Sequence, residues 1–223
     1  MHQQISKKII IYLFVFFTLG TYNNKQFSKF SLPKINNYNV VGLSKIENNQ
    51  IFQDLSNLKN QTLFFLEKNK VSKIINTHKI VEKFYVFKNY PSNLNVIIER
   101  TNFLALIKKN GQDFYIGSNG NLIPVRKKKN DLPIVFGNIE TSEFLRLKKI
   151  IDNSNFNFNE IKNLYYFKSR RWDIETKDNL IIKLPFKKLN KSFDILSKIY
   201  DNQKFKGLKI IDLRQDNLVI LNG

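Results

Sequence analysis

The feature that most constrains this chain is a pair of apolar-patterned runs, Val81 to Lys88 and Leu94 to Arg100, parted by the turn-forming stretch Asn89-Tyr90-Pro91-Ser92-Asn93. Such a pair predicts a β-hairpin. In the second run Leu94, Val96 and Ile98 alternate with Asn95 and Ile97, as expected of a sheet with one face covered. The cover lies upstream. From Ser44 the apolar residues Ile51, Phe52, Leu55 and Leu58 recur at helical spacing, with Ser44 as N-cap and Glu47 as its capping-box partner. A second helix is expected from Asn69 through His78, with Val71, Ile74, Ile75 and His78 on one face. A short strand from Asn39 to Leu43, containing Gly42, precedes both. The resulting order of strand, helix, helix, strand, strand has the size of an independently folding unit.

Beyond Thr101 the texture changes to short strand-like runs, Phe103 to Ile107, Phe114 to Ile116 and Leu122 to Pro124, with a turn at Gly117-Ser118-Asn119-Gly120. A helix is expected from Thr141 to Ile151, directing Phe144, Leu147 and Ile151 inward. A hairpin follows: Trp172 and Ile174 alternate with Arg171, Asp173 and Glu175, the chain turns at Lys177-Asp178-Asn179, and Leu180 to Leu184 returns. Asp173 and Glu175 share one strand face with Arg171, so a surface ion pair is their expected use. A helix from Ser192 to Tyr200 then leads to closing strands at Leu208 to Arg214 and Leu218 to Leu221.

The amino terminus sets where such a chain resides. Lys7 and Lys8 precede an uncharged run from Ile9 to Tyr22. As a helix it spans roughly 21 to 24 Å against a hydrocarbon core of about 30 Å. That is short for a membrane span. A cleaved signal peptide has a similar plan, but Thr18-Leu19-Gly20-Thr21-Tyr22 lacks a clean small-residue cleavage site, and an uncleaved anchor is the preferred reading over a signal or a buried globular helix. The two lysines keep the short tail in the cytoplasm and export everything after Tyr22.

Several chemistries have nothing to stand on. With Cys 0, disulfides, thiolate metal sites and cysteine nucleophiles are excluded. His2 and His78 are the two histidines, and His78 is expected to sit half-buried near a helix C-terminus, where it offsets the dipole, rather than to bind a metal. No nucleophile-elbow, zinc-protease, dinucleotide or phosphate-loop motif is present. The formal charge of +19 would suggest nucleic acid inside a cell, but an exported chain does not meet it. Its densest part, Arg126-Lys127-Lys128-Lys129, has loop composition and no interleaved aromatics; it reads as a solvated loop, with anionic lipid headgroups or an acidic partner as the functional alternative.

Taken in order, a set of fragments resembles the FtsQ/DivIB family of bacterial cell-division proteins. They are Val41-Gly42, Leu63-Phe64-Phe65-Leu66, Val86-Phe87-Lys88-Asn89-Tyr90-Pro91, Ile98-Glu99-Arg100 and Asn119-Gly120-Asn121-Leu122-Ile123-Pro124. Later come Leu132-Pro133-Ile134-Val135-Phe136-Gly137, Arg171-Trp172-Asp173-Ile174 and Ile211-Asp212-Leu213-Arg214. Asp178-Asn179 departs from the pattern, since relatives often carry a glycine turn there, and the cytoplasmic tail is short.

The resemblance implies an α+β protein of the inner membrane: a cytoplasmic tail over residues 1–8, a transmembrane helix over 9–22 and a flexible linker over 23–35. A POTRA domain (βααββ) over 36–101 and a β-rich domain with two or three helices over 102–223 follow. It further implies a non-enzymatic divisome scaffold at the septum, without cofactor or metal, whose partners are FtsB and FtsL and, beyond them, FtsK, FtsW and FtsI. An anchored POTRA adaptor of a secretion or envelope-assembly system is the alternative. Partner-binding positions map onto Gln215, Asp216, Asn217, Leu218, Val219 and Ile220, where an exposed closing strand invites β-strand addition. Arg170 or Arg171 on a nearby strand would face a partner carboxylate. Val86 and Lys88 map onto a recruitment face of the POTRA domain, although Val86 can equally be core. Leu218 and Ile220 can be core as well, and one alternating set there is expected to be.

Overall fold

In the computed structural model of the chain, the described residues are 7–21, 31–126, 128, 131–200, 207–215 and 218–223. Helix α1 covers Lys7–Thr21, 15 residues whose apolar side chains, Phe14, Phe16 and Leu19 among them, are exposed. At 1.5 Å per residue it is about 22 Å long. Among the described residues no helix is long and apolar enough to cross a membrane. Tyr22 and residues 23–30 of the predicted linker lie outside the described residues. Lys34 and Ile35, assigned to that linker from sequence, are already part of the packed unit: Lys34 bridges to Thr62 and Ile35 is 2% exposed.

The first unit runs β1 (Asn37–Val41), α2 (Lys45–Ser56), α3 (Lys68–Asn76), β2 (Val81–Asn89) and β3 (Asn93–Arg100). Its three-stranded sheet has the order β1-β3-β2. The β2–β3 hairpin is antiparallel, whereas β1 lies parallel to β3 because the helices and β2 supply the crossover between them. Helix α2 starts where its capping box predicts, with Ser44 accepting from the Glu47 amide and Glu47 accepting from the Ser44 amide at 3.1 Å. Ile51 and Leu55 of α2 and Val71 and Ile75 of α3 meet Leu94, Val96 and Ile98 of β3 in one core. Phe52 is 37% exposed instead and sets its ring edge-on to Tyr38. His78 falls just past α3 and pairs with Asp54 of α2 at 2.8 Å, which ties the two helices together. Gly42 closes β1 at φ 114°, and a Cβ there would overlap the Ile98 carbonyl oxygen, so no other residue type fits.

The second unit begins at once, with β4 (Phe103–Lys109), β5 (Gln112–Gly117), β6 (Leu122–Pro124) and β7 (Ile134–Phe136). It continues through α4 (Thr141–Asp152), β8 (Ile161–Tyr166), β9 (Trp172–Thr176), β10 (Ile181–Lys183), α5 (Leu189–Tyr200), β11 (Ile210–Asp212) and β12 (Ile220–Asn222). These strands form a nine-stranded sheet in the order β12-β11-β10-β9-β8-β7-β4-β5-β6. Of its three parallel pairs, β7–β8 and β10–β11 carry α4 and α5 in their connections, whereas β4 and β7 are joined by way of β5 and β6.

One cross-strand row, Val135, Leu164, Ile174, Ile182 and Ile211, lines the inner face from β7 to β11. Phe144, Leu147 and Ile151 of α4 and Phe193 and Leu196 of α5 pack on it, as the helical spacing predicts. The turn at Asp178-Asn179 needs no glycine. Asn179 itself takes φ 62°, a conformation asparagine tolerates better than most residues.

Where the units meet, the Gly117–Gly120 turn does more than join two strands. Thr101 N donates to the Ile80 carbonyl at 2.9 Å, and Asn119 Nδ2 donates to the carbonyls of Lys79 at 3.0 Å and Val81 at 2.8 Å. Ser118 Oγ donates to Glu82 at 2.8 Å. The β6 end of the large sheet is therefore latched onto the first unit.

Candidate functional site

The opposite end of the large sheet is open. Strand β12 pairs with β11 alone, setting Ile211 opposite Leu221 and Asp212 opposite Ile220, and among the described residues no strand lies beyond it. Alternation sorts the side chains of β12 and of the two residues before it. Val219 and Leu221 pack against the core, whereas Leu218 is 51% and Ile220 46% exposed. Of the two alternating sets left open from sequence, the core set is Val219 and Leu221, because Leu221 continues the inner row beside Ile211 on the face that α5 covers. Gln215 is exposed in the bend before β12. Asp216 and Asn217, the remaining predicted partner-binding positions, lie outside the described residues.

The outer face of the sheet carries a second cross-strand row leading to this edge: Phe136, Tyr165, Asp173, Lys183, Asp212 and Ile220. Phe136 and Tyr165 stack at 5.1 Å. Asp212 accepts from Arg214 Nε at 2.8 Å, and this hydrogen bond, outweighing burial, holds its carboxyl below the usual carboxylate range.

Asp173 behaves in the opposite way. Burial pushes its carboxyl up, against the opposing pull of Arg171, Lys183 and Arg214, and its Oδ1 has no hydrogen-bond partner. At 9% exposure it is not the surface ion-pair member predicted. Nor does Glu175 pair with Arg171. Glu175 accepts from Asn163 at 2.9 Å, Lys162 at 2.8 Å and Tyr165 Oη at 2.7 Å, and these bonds pull its pKa down to about 2.

The predicted arginines stand further from the edge than expected. Arg170 occupies the β8–β9 turn at φ 60°, with its guanidinium 3.5 Å from Glu143 of α4 and 5.3 Å from the Phe186 ring. Arg171 directly precedes β9 and stacks on Phe167 at 4.7 Å, while its buried Nε has no hydrogen-bond partner. Strands β10 and β11 separate β9 from β12. The predicted recruitment positions lie on the first unit: Val86 is half-buried against its core, and Lys88 Nζ donates to the Leu66 carbonyl at 2.7 Å. Sequence reading missed the burial of Asp173 and the latch at Ser118 and Asn119. Neither has a sequence signal, because each depends on partners many residues away.

Fold and site together define an α+β protein with one large sheet that is latched at one end and open at its C-terminal edge. Among the described residues no group of three or more His, Cys, Asp or Glu is placed to hold a metal ion. Residues 105–214, which run from β4 to just past β11, match the family described as cell division protein FtsQ/DivIB, C-terminal. Over these residues the chain carries the C-terminal domain of the FtsQ/DivIB family of cell-division proteins.

Among its relatives, the cell division protein DivIB of Bacillus subtilis is 24% identical over 168 residues, which is 74% of this chain and 63% of that protein. The cell division protein FtsQ of Rickettsia typhi is 24% identical over 191 residues, 82% of this chain and 70% of the relative. The chain thus spans a little under two thirds of the Bacillus protein's length. A solved structure of the major extracytoplasmic domain of DivIB from Geobacillus stearothermophilus aligns with 14% identity and a TM-score of 0.34, covering 44% of this chain and 87% of that one.

Proposed function

We propose that this chain is a non-enzymatic scaffold of the cell-division machinery that binds FtsB and FtsL by accepting a partner strand at β12. The observation that carries this reading is the open edge: β12 ends a nine-stranded sheet, with Ile220 exposed on it and Leu218 exposed just before it. An unpaired strand offers a row of N–H and C=O groups that a partner strand satisfies, while exposed apolar side chains supply register-specific contacts. Arg170 and Arg171 contribute at the periphery of that surface, and Val86 and Lys88 belong to a second, recruitment face on residues 36–101, a POTRA domain. FtsK, FtsW and FtsI are the further partners of the assembly.

The chain acts at the septum with its bulk in the periplasm. Residues 9–22 are the inner-membrane anchor, a reading supported by the exposed apolar side chains of α1 from Ile9 to Leu19.

The test is a pull-down of the detergent-solubilised chain with the periplasmic segments of FtsB and FtsL, compared with a version truncated after Arg214. Binding that vanishes on truncation is the expected result. Binding that survives moves the interface off β12, and no binding by either version removes the scaffold reading.

A further inference from the structure

The end of the first unit where the chain enters carries an exposed aromatic tip. Three stretches converge there: residues 34–36, the α2–α3 loop and the β2–β3 turn. Lys34 bridges to Thr62, Ile35 N donates to the Gln61 carbonyl at 3.0 Å, and Asn36 N donates to the Ser92 carbonyl at 2.9 Å. In the α2–α3 loop Leu63 and Leu66 are buried in the core, which turns the two residues between them outward. Phe64 is 53% and Phe65 75% exposed. Tyr90 of the β2–β3 turn, 55% exposed, lies against Phe64 with ring centroids 4.8 Å apart. The hydrogen bond from Lys88 Nζ to the Leu66 carbonyl holds loop and hairpin together, so the three rings share one surface.

An exposed apolar patch rimmed by polar residues marks an interaction surface. The rim here is basic: in residues 31–36, 59–68 and 88–93 four lysines, Lys34, Lys59, Lys68 and Lys88, stand against one acidic residue, Glu67. Rings bordered by lysines suit the membrane–water boundary, where the rings enter the acyl region and the ammonium groups stay among headgroup phosphates. A stable protein interface needs roughly 800 Å² from each partner. Three rings, each worth about 150–250 Å² when wholly covered and here already part-covered, fall well short of it.

Chain length favours the bilayer as well. From Thr21, the end of α1, to Ser31 the chain advances ten residues and spans at most about 35 Å. Lys34, which joins the tip, follows directly. A short tether makes the meeting of tip and bilayer intramolecular, at an effective concentration on the order of millimolar. From these observations we infer that the tip formed by Phe64, Phe65 and Tyr90 inserts into the headgroup region of the membrane that holds α1, docking the first unit on the bilayer. The inference rests on the reading of residues 9–22 as an anchor and makes no use of β12.

The experiment places a reporter at the tip, Phe65→Trp, in the full chain reconstituted into nanodiscs of phosphatidylethanolamine and phosphatidylglycerol. The native tryptophan, Trp172, is 2% exposed, and the unsubstituted chain supplies its background. Spin-labelled lipids carry the quencher either near the headgroup end of the acyl chain or at its far end. A side chain held at the interface lies about 5–10 Å into the boundary of headgroups and acyl chains. Emission of Phe65→Trp should therefore move to the blue on reconstitution, be lost mainly to the shallow quencher and resist acrylamide in the water. Ile46→Trp is the comparison. Ile46 is 64% exposed in the first turn of α2, next to Glu47, which pairs with Arg100 at the end of β3 away from the turn. That reporter should stay open to acrylamide and be spared by both lipids, while circular dichroism checks that both variants remain folded.

Three results overturn the inference: a tip reporter open to acrylamide and untouched by either lipid, one quenched no more than the Ile46→Trp reporter, or one shielded from acrylamide without lipid quenching. The last would assign the tip to a protein contact. Failure of the anchor reading looks different, because the unsubstituted chain would then not co-elute with the nanodiscs, and the inference would fall with it.

Discussion

The two ends of the large sheet are built from the same kind of short strand, yet they are finished in different ways. At the β6 end, the turn through Ser118 and Asn119 spends its hydrogen bonds on the backbone of the preceding unit, on Lys79 and Val81, and on the Glu82 carboxylate. At the β12 end, the last strand pairs on one side and exposes Leu218 and Ile220. A sheet edge is a liability unless it is covered or used. The contrast teaches that one end of the sheet is tied to the preceding unit by hydrogen bonds, whereas the other ends in a strand paired on one side among the described residues.

That contrast can be broken at the latched end first. In Asn119→Ala the carbonyls of Lys79 and Val81 lose their side-chain donor, and the Asn121 amide loses the acceptor it finds at 3.0 Å. The part-buried Val81 carbonyl is the group left unsatisfied, at a cost of about 1–3 kcal/mol, while water replaces the exposed partners. Denaturant unfolding should register that loss, and hydrogen exchange should show faster opening of the amides around Thr101 and Val81 while those of β9 and β10 stay protected. Uniform acceleration across both units would mean that the latch is not local.

A second effect, of comparable size, lies midway along the sheet. Glu175 has a folded pKa of about 2 against an ordinary value of 4.5, chiefly because Asn163, Lys162 and Tyr165 hydrogen-bond its ionised form. A depressed carboxylate contributes stability that is fully present above pH 4.5 and is lost as pH falls toward 2. Glu175→Gln should lower stability at neutral pH by on the order of 2 kcal/mol and flatten the acid limb of the stability profile over that window. A variant whose acid limb keeps its slope would shift the origin of that slope to other carboxylates.

The smallest effect on stability belongs to the open end. Leu218→Asp combined with Ile220→Asp alters side chains that are already about half exposed, so unfolding free energy should move by no more than about 0.5 kcal/mol. Capture of the FtsB and FtsL segments should nevertheless be lost. A large drop in stability would instead make these residues part of the fold, and the asymmetry between the two ends would disappear.

Much of the first unit was legible because its signals are local. The Ser44–Glu47 capping box, the spacing of Ile51 and Leu55, and the alternation of Leu94, Val96 and Ile98 each state a backbone conformation and a buried face within a few residues. The second unit was read less completely. Strands β7 and β8 escaped: Ile134–Phe136 is too short to alternate, and Ile161–Tyr166 sits mid-sheet with side chains used on both faces, which erases the period. The site divided in the same way. The closing strands were legible as strands, but which alternating set is buried was not, since that follows from where α5 lies.

The sequence by itself determined the secondary-structure order of the first unit, the hairpin at Trp172, the exclusion of thiol chemistry and the family that residues 105–214 match. These rest on short-range periodicity, composition and ordered motifs, all of which are properties of neighbours along the chain. The tertiary structure alone decided that β12 is an edge, that Leu218 and Ile220 face outward, that Asp173 is buried, and that Arg100 completes a stack with Phe103 and Tyr115 between the units. Each of these depends on strand order and on the meeting of residues distant in sequence. A chain's local pattern specifies which face of an element is apolar, but what lies against that face is settled only when the elements pack.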